Sequence, residues 1–157
     1  MNILYLVKEG LLNIPVLYLS RYINQYKADY YRLLQKVRTD NAWEEWVLYM
    51  LDGVEKTSLQ TIQQIQGIKA LMLKHKQKVR SELPNIYSQD LLNNIFKHPY
   101  TKIDFIMADL EISRITAARY LDQLARIGIL HKQKFGRDYI NLDLYDHLGN
   151  VNSFPQT

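Results

Sequence analysis

Between Ser113 and Gly128 the chain specifies one short amphipathic helix with both of its ends marked. Ser113 is suited to the N-cap, because its hydroxyl can accept from a backbone N–H that has no partner within the helix. Ala117, Leu121, Leu124 and Ile127 recur at helical spacing and form one apolar stripe. Gly128 follows, where a left-handed residue closes a helix at little steric cost. The opposite face carries Arg114, Arg119, Gln123 and Arg126. A helix packed on one side and cationic or amide-rich on the other suits contact with phosphates or with base edges in a major groove.

The flanking residues extend the unit. Residues 129–135 (Ile-Leu-His-Lys-Gln-Lys-Phe) are predicted as a strand, Gly136-Arg137 as a turn, and residues 138–144 as a second strand. In that second strand Tyr139 lies on one face, and Ile140, Leu142 and Leu144 are available for packing on the other. Upstream, Ser88 is expected to cap a helix running to Lys97, and Thr101 a second running to Asp109. Three helices followed by a hairpin is the order of a winged helix-turn-helix. Residues 113–137 hold Arg114, Arg119, Arg126, Lys132, Lys134 and Arg137 against a single acid, Asp122. The candidate DNA-binding set is therefore Ser113, Arg114 and Thr116 toward base edges or phosphates, and Arg119, Lys132, Lys134 and Arg137 toward phosphates. Tyr120 and Gln123 complete it. From Ile86 to His147 as a whole there are 8 basic and 8 acidic residues, so the positive charge is local to this helix and hairpin.

Other functions find little support. The four histidines, His75, His98, His131 and His147, are scattered without metal-ligand spacing. There is no Gly-x-Gly-x-x-Gly, no Walker loop and no nucleophile elbow, so neither a catalytic nor a metal site is expected. The net charge of +4 and pI near 9.2 are mildly basic. The absence of cysteine excludes disulfides and fits a reducing compartment. No apolar run is long enough to cross a membrane, and Met1-Asn2 lacks the cationic lead of a signal peptide. A cytoplasmic location is expected.

The first half reads as helices alone. Residues 3–7 are apolar nearly all round, as in a helix buried within a larger domain. Asn13-Ile-Pro15 is expected to open a helix carrying Val16, Leu17, Leu19, Tyr22 and Ile23. Lys27 to Val37 forms another, and Asn41 is expected to cap a long helix from Trp43 to Val79. Most of the 12 tyrosines fall in this half at helical spacing, which favours core and groove-lining roles. The basic run Lys69, Lys74, His75, Lys76, Lys78 and Arg80 suits a solvated face near a helix C-terminus. Pro84-Asn85 marks a boundary. The expected organisation is a helical region over 1–83, a winged helix over 86–147, and a flexible tail over 148–157.

This first half resembles the part of a Fic-domain protein that follows its catalytic loop. The resemblance lies in the tract from Asn2 to Ile23, with its Pro15-x-Leu17-x-Leu19-Ser20-x-Tyr22-Ile23 pattern. It continues through Lys27–Arg38, with the Tyr30-Tyr31 pair, to Trp43-Glu-Glu-Trp46. In similar family members a winged helix commonly follows. The resemblance implies a parent activity, transfer of AMP from ATP to a protein hydroxyl, with ATP and Mg²⁺ required by a complete member. The family's signature, His-Pro-Phe-x-x-Gly-Asn-Gly-Arg, is absent from this sequence. His98-Pro99-Tyr100 matches only its start, and Thr101-Lys-Ile-Asp-Phe follows. The resemblance thus implies a non-catalytic C-terminal fragment with no cofactor of its own, carrying a winged helix for DNA binding or self-association. Its partners would be DNA, a second copy, or the missing N-terminal Fic half, with no membrane. The alternative is a stand-alone winged-helix transcriptional regulator that dimerises through its N-terminal helices.

Overall fold

A computed structural model describes residues 3–13, 17–133 and 138–149 of the chain. The described residues are mainly helical with one small antiparallel sheet, which is the class that hydrophobic periodicity predicts. They divide into two compact units at Gln63–Gln64, inside helix α4.

The first unit contains α1 (Ile3–Lys8), α2 (Leu19–Gln25), α3 (Lys27–Asp40) and the opening turns of α4 (Trp43–Glu82). Residues 14–16, including the expected helix-opening Pro15, lie outside the described residues, and α2 begins later than expected, at Leu19. Tyr18, at φ −94° and ψ 65°, is not helical, and Leu17 just before it is buried. Asn41 does not cap α4. It closes α3 in the left-handed conformation at φ 54°, which its short polar side chain tolerates better than most. Its carboxamide oxygen accepts from Trp43 Nε1 at 2.8 Å.

The centre of this unit is aromatic. Tyr22 packs against Tyr26 and Tyr49 at ring separations of 4.7 and 5.3 Å, with Leu19, Ile23, Met50 and Val54 around them. Gly53 makes this possible, because a Cβ there would come within 2.7 Å of the Tyr22 ring. The Tyr22 hydroxyl donates to Asp52 Oδ2 at 2.5 Å, and Lys56 Nζ reaches the same oxygen at 2.9 Å. Burial, reinforced by the Asp52 carboxylate, pushes the Tyr22 phenol well above its usual range.

The second unit contains the rest of α4, α5 (Gln89–Lys97), β1 (Tyr100–Lys102), α6 (Ile103–Leu110), α7 (Arg114–Arg126), β2 (His131–Lys132), β3 (Asp138–Ile140) and α8 (Leu142–Gly149). Its core joins Val79 of α4 to Leu91, Leu92 and Ile95 of α5, Ile106 of α6, and Ala117, Leu121 and Leu124 of α7. Ile86, Ile129, Leu130 and Tyr139 close it. Ser88 caps α5 as expected, accepting from Leu91 N at 3.0 Å.

Three features of this unit depart from the sequence reading. The sheet has three strands, in the order β1-β3-β2, because Tyr100–Lys102 pairs with Asp138–Ile140. Thr101 therefore caps no helix: it lies in β1, buried, and its hydroxyl donates to Asn94 Oδ1 at 2.7 Å. Of the predicted hairpin, residues 134–137, with the Gly136-Arg137 turn, lie outside the described residues. Ile129 and Leu130 belong to the turn that ends α7, and the second strand stops at Ile140, before α8 begins at Leu142. Asn141 forces that change. Its backbone N–H donates to Pro99 O at 2.8 Å, its amide donates to Ile95 O at 3.1 Å, and its Oδ1 accepts from Leu144 N at 3.2 Å. It is the buried N-cap of α8. The expected packing residues divide: Tyr139 is buried, Ile140 is half-buried and Leu142 is exposed, while Leu144 is buried as expected but from α8.

α8 lies against α4. Asp143 Oδ2 accepts from Lys74 Nζ at 3.0 Å and meets His75 Nε2 at 3.1 Å. The His147 ring occupies the space that a side chain at Gly67 would need, and its Nε2 lies 3.0 Å from Gln64 O. Of the predicted tail, Leu148 and Gly149 belong to α8, and residues 150–157 lie outside the described residues.

Candidate nucleic-acid interface

The candidate surface is the outer face of α7 with the adjoining strands. Ser113 starts α7 as its sequence predicts: its hydroxyl accepts from Thr116 N at 3.3 Å and lies 3.0 Å from Thr116 Oγ1. At the other end Gly128 takes φ +74°, its N–H donates to Ala125 O, and Ile129 N donates to Leu124 O at 3.0 Å. That pair of bonds is a Schellman closure, with Leu124 and Ile129 both buried beneath it. Ala117, Leu121 and Leu124 are fully buried, so the helix has one fixed rotation about its axis.

This rotation sorts the predicted site residues. Arg114 and Arg119 are exposed, as is Arg126, which the sequence places on the same face. Arg114 Nη1 is paired with Asp104 Oδ1 of α6 at 2.8 Å. The Arg119 guanidinium sits 5.8 Å from the centre of the Tyr120 ring. Neither Arg119 nor Arg126 has an acidic partner within ion-pair distance among the described residues. Arg126 also lies in the last turn of α7, where a cation suits the helix dipole.

Tyr120 is half-buried and packs against the core, and Gln123 carries a buried Oε1 with no partner. Lys132 is exposed on β2, but its ammonium is held by Asp122 Oδ1 at 2.8 Å. Lys134 and Arg137 lie outside the described residues. The geometry thus gathers Ser113, Arg114 and Thr116 at the start of α7, with Arg114 and Thr116 on opposite flanks, sets Arg119 on the outward face, and leaves Lys132 to the side.

Asp122 looks from the sequence like an isolated anion among cations. In the fold it ties three elements together, because Oδ1 also accepts from the Tyr139 hydroxyl of β3 at 2.8 Å. The hydrogen bonds from Lys132 and Tyr139 outweigh its burial and hold its carboxyl below the usual range. Its own hydrogen bonds, to Asp122 first and Tyr139 second, push the Lys132 ammonium up. Burial first, and the Asp122 hydrogen bond second, push the Tyr139 phenol up.

Two residues of this surface carried no signal as site residues. Asp104 neutralises Arg114 from the first turn of the preceding helix, a pairing visible only once α6 and α7 are packed. Ile115, at 84% exposure, stands outward beside Arg114. Hydrophobic periodicity could have flagged it, since it falls off the stripe of Ala117, Leu121 and Leu124.

Among the described residues there is no cluster of His, Cys, Asp or Glu that could hold a metal, and no helix long and apolar enough to cross a membrane. Residues 71–144 match the family described as Protein adenylyltransferase SoFic-like, C-terminal domain. The match runs from the later turns of α4 into α8, and it leaves the tract from Asn2 to Trp46 outside.

Proposed function

We propose, from the premise that residues 71–144 are a C-terminal region of a Fic-related adenylyltransferase, that this chain is the non-catalytic C-terminal part of a protein AMP-transferase. Its unit from α5 to β3 acts as a winged helix that binds duplex DNA through α7. The order α5, β1, α6, α7, β2, β3 with sheet order β1-β3-β2 supports the winged-helix reading. The observation that carries the DNA reading is the rotation of α7, which buries Ala117, Leu121 and Leu124 and turns Arg119 and Arg126 outward with no close ion pair among the described residues, although Asp122 attracts Arg126 from one turn away. The two cations follow the helix for nearly two turns, at a spacing that can follow a phosphate backbone. Arg114 and Lys132 contribute less than the sequence implies, since Asp104 and Asp122 already neutralise them.

ATP and Mg²⁺ belong to the catalytic half of a complete family member. The residues here do not fit them: the sequence contains no Gly-Asn-Gly-Arg loop, and among the described residues no acidic cluster stands in for one. Incubation of the pure chain with labelled ATP and a protein acceptor is therefore expected to give no AMP transfer, and clear turnover would overturn this part. Arg114→Ala combined with Arg119→Ala is expected to weaken binding to a labelled duplex, with most of the loss due to Arg119. Unchanged affinity would remove α7 from the interface.

A second reading is favoured by α4. Val47, Leu48, Leu51, Leu59 and Ile62 are each about half exposed, and together they leave an apolar side on the first unit. A catalytic half, or a second copy in a stand-alone regulator, would pack there. Sedimentation of the chain and of Leu51→Glu separates the two. A dimer that dissociates on substitution supports the regulator, and a monomer in both forms supports the catalytic half.

A further inference from the structure

We propose that α7 reads thymine through Ile115, so that the duplex it prefers is rich in A·T pairs. This rests on the DNA reading above. Ile115 is the second residue of α7 and, at 84%, the most exposed large apolar side chain among the described residues. The buried positions of α7 fix an outward row of Ile115, Ala118, Arg119, Asp122 and Arg126. The row leads with an apolar group, and Arg114 beside it is paired with Asp104. At the flank Lys132 is drawn onto Asp122 in the same way.

Ile115 has no structural use where it stands. It caps nothing, it lies outside the core, and its β-branch lowers helix propensity relative to an unbranched residue. In a major groove the C5 methyl of thymine is the one apolar group on the base edges. An isoleucine beside it, with Arg119 one turn further along, matches a polyanion that presents methyl groups. A second copy of the chain fits the same surface less well. A two-fold contact with the helices parallel would set Arg119 and Arg126 against their own counterparts.

The test uses the full chain and two probes, an alternating d(A-T) duplex and the same duplex with deoxyuridine in place of thymidine. The exchange removes only the methyl groups. Binding is expected to weaken about fourfold for each methyl contacted. Ile115→Ala should lower affinity for the thymidine duplex and abolish the difference between the probes, while Ile115→Val should keep part of it. The exposure of Ile115 leaves folding untouched by either substitution. Equal affinity of the native chain for both duplexes overturns the inference, as does a difference that survives Ile115→Ala. Failure to bind either duplex overturns the DNA reading itself, whereas salt-dependent but methyl-blind binding overturns the thymine inference alone. Dissociation of a dimer by Ile115→Ala would assign the residue to self-association instead, and also overturns it.

Discussion

The two units of this chain are built from the same material and finished differently. The second closes around Ile95, Ile106, Leu121 and Leu124, all essentially inaccessible to water, and the buried side chains of Asn94, Thr101 and Asn141 are hydrogen-bonded within it. In the first, only Leu17, Leu19, Tyr22 and Leu33 are buried among the described large apolar residues, while Leu4, Tyr5, Leu11 and the apolar side of α4 face water. A unit that covers its own apolar surface can present a charged helix to a ligand. A unit that does not leaves apolar surface that a partner could cover. In the proposed function, α7 does the recognition and the N-terminal helices receive that partner.

The sharpest way to break this comparison is to remove equivalent side chains from the two units. Leu121→Ala is expected to destabilise the chain by about 3 kcal/mol in denaturant unfolding, through lost burial and the cavity left behind. Leu51→Ala, on the open side of α4, is expected to change stability by less than about 0.5 kcal/mol. Equal losses would mean that the first unit is already closed.

Asn141→Ala comes next. It strips α8 of its cap and leaves Ile95 O without its donor in the interior, at a cost of about 2 kcal/mol. Gly53→Ala probes the first unit in the same range. Inside a helix this change normally gains up to about 1 kcal/mol. Here it is expected to destabilise, because the new methyl would press on the Tyr22 ring. A gain in melting temperature would show that the aromatic cluster is loose.

The smallest expected effect is electrostatic. In Asp143 the hydrogen bonds from His75 and Lys74 hold the carboxyl below its ordinary value of 3.8, and in Asp122 those from Lys132 and Tyr139 do the same. A carboxyl with a lowered folded pKa stabilises the fold above its unfolded value, and that contribution disappears as pH falls through the folded value. The second unit should therefore lose a modest increment of stability in acid, below pH 3.8. Both carboxylates are more than a third exposed, so screening keeps the increment small. Asp143→Asn should flatten that part of the pH profile, and an unchanged profile would remove the α4–α8 contact from the account.

What could be read beforehand follows the range of the forces involved. The caps at Ser88 and Ser113, the closure at Gly128 and the buried stripe of α7 are local, and each is found where the sequence puts it. The third strand is not local. Tyr100–Lys102 is a strand only because Asp138–Ile140 lies beside it, and Thr101 looked like a cap for want of its partner Asn94. Leu142 and Leu144 continue an alternating pattern, so the sequence alone extends the strand through the helix that Asn141 begins. In the candidate site the cations were legible and their neutralisation was not. Asp104 sits 10 residues before Arg114, and Asp122 sits 10 before Lys132, so packing alone reveals both pairs.

The central claim is that the outward arginines of α7 hold a phosphate backbone. It is tested most directly by the slope of log affinity against log salt for a duplex, compared between the native chain and the Arg119→Ala, Arg126→Ala double variant. Each phosphate contact contributes about 0.9 to that slope, so the variant should show a slope shallower by about 1.8. An identical slope in the two proteins, or no salt dependence in the native chain, would contradict it.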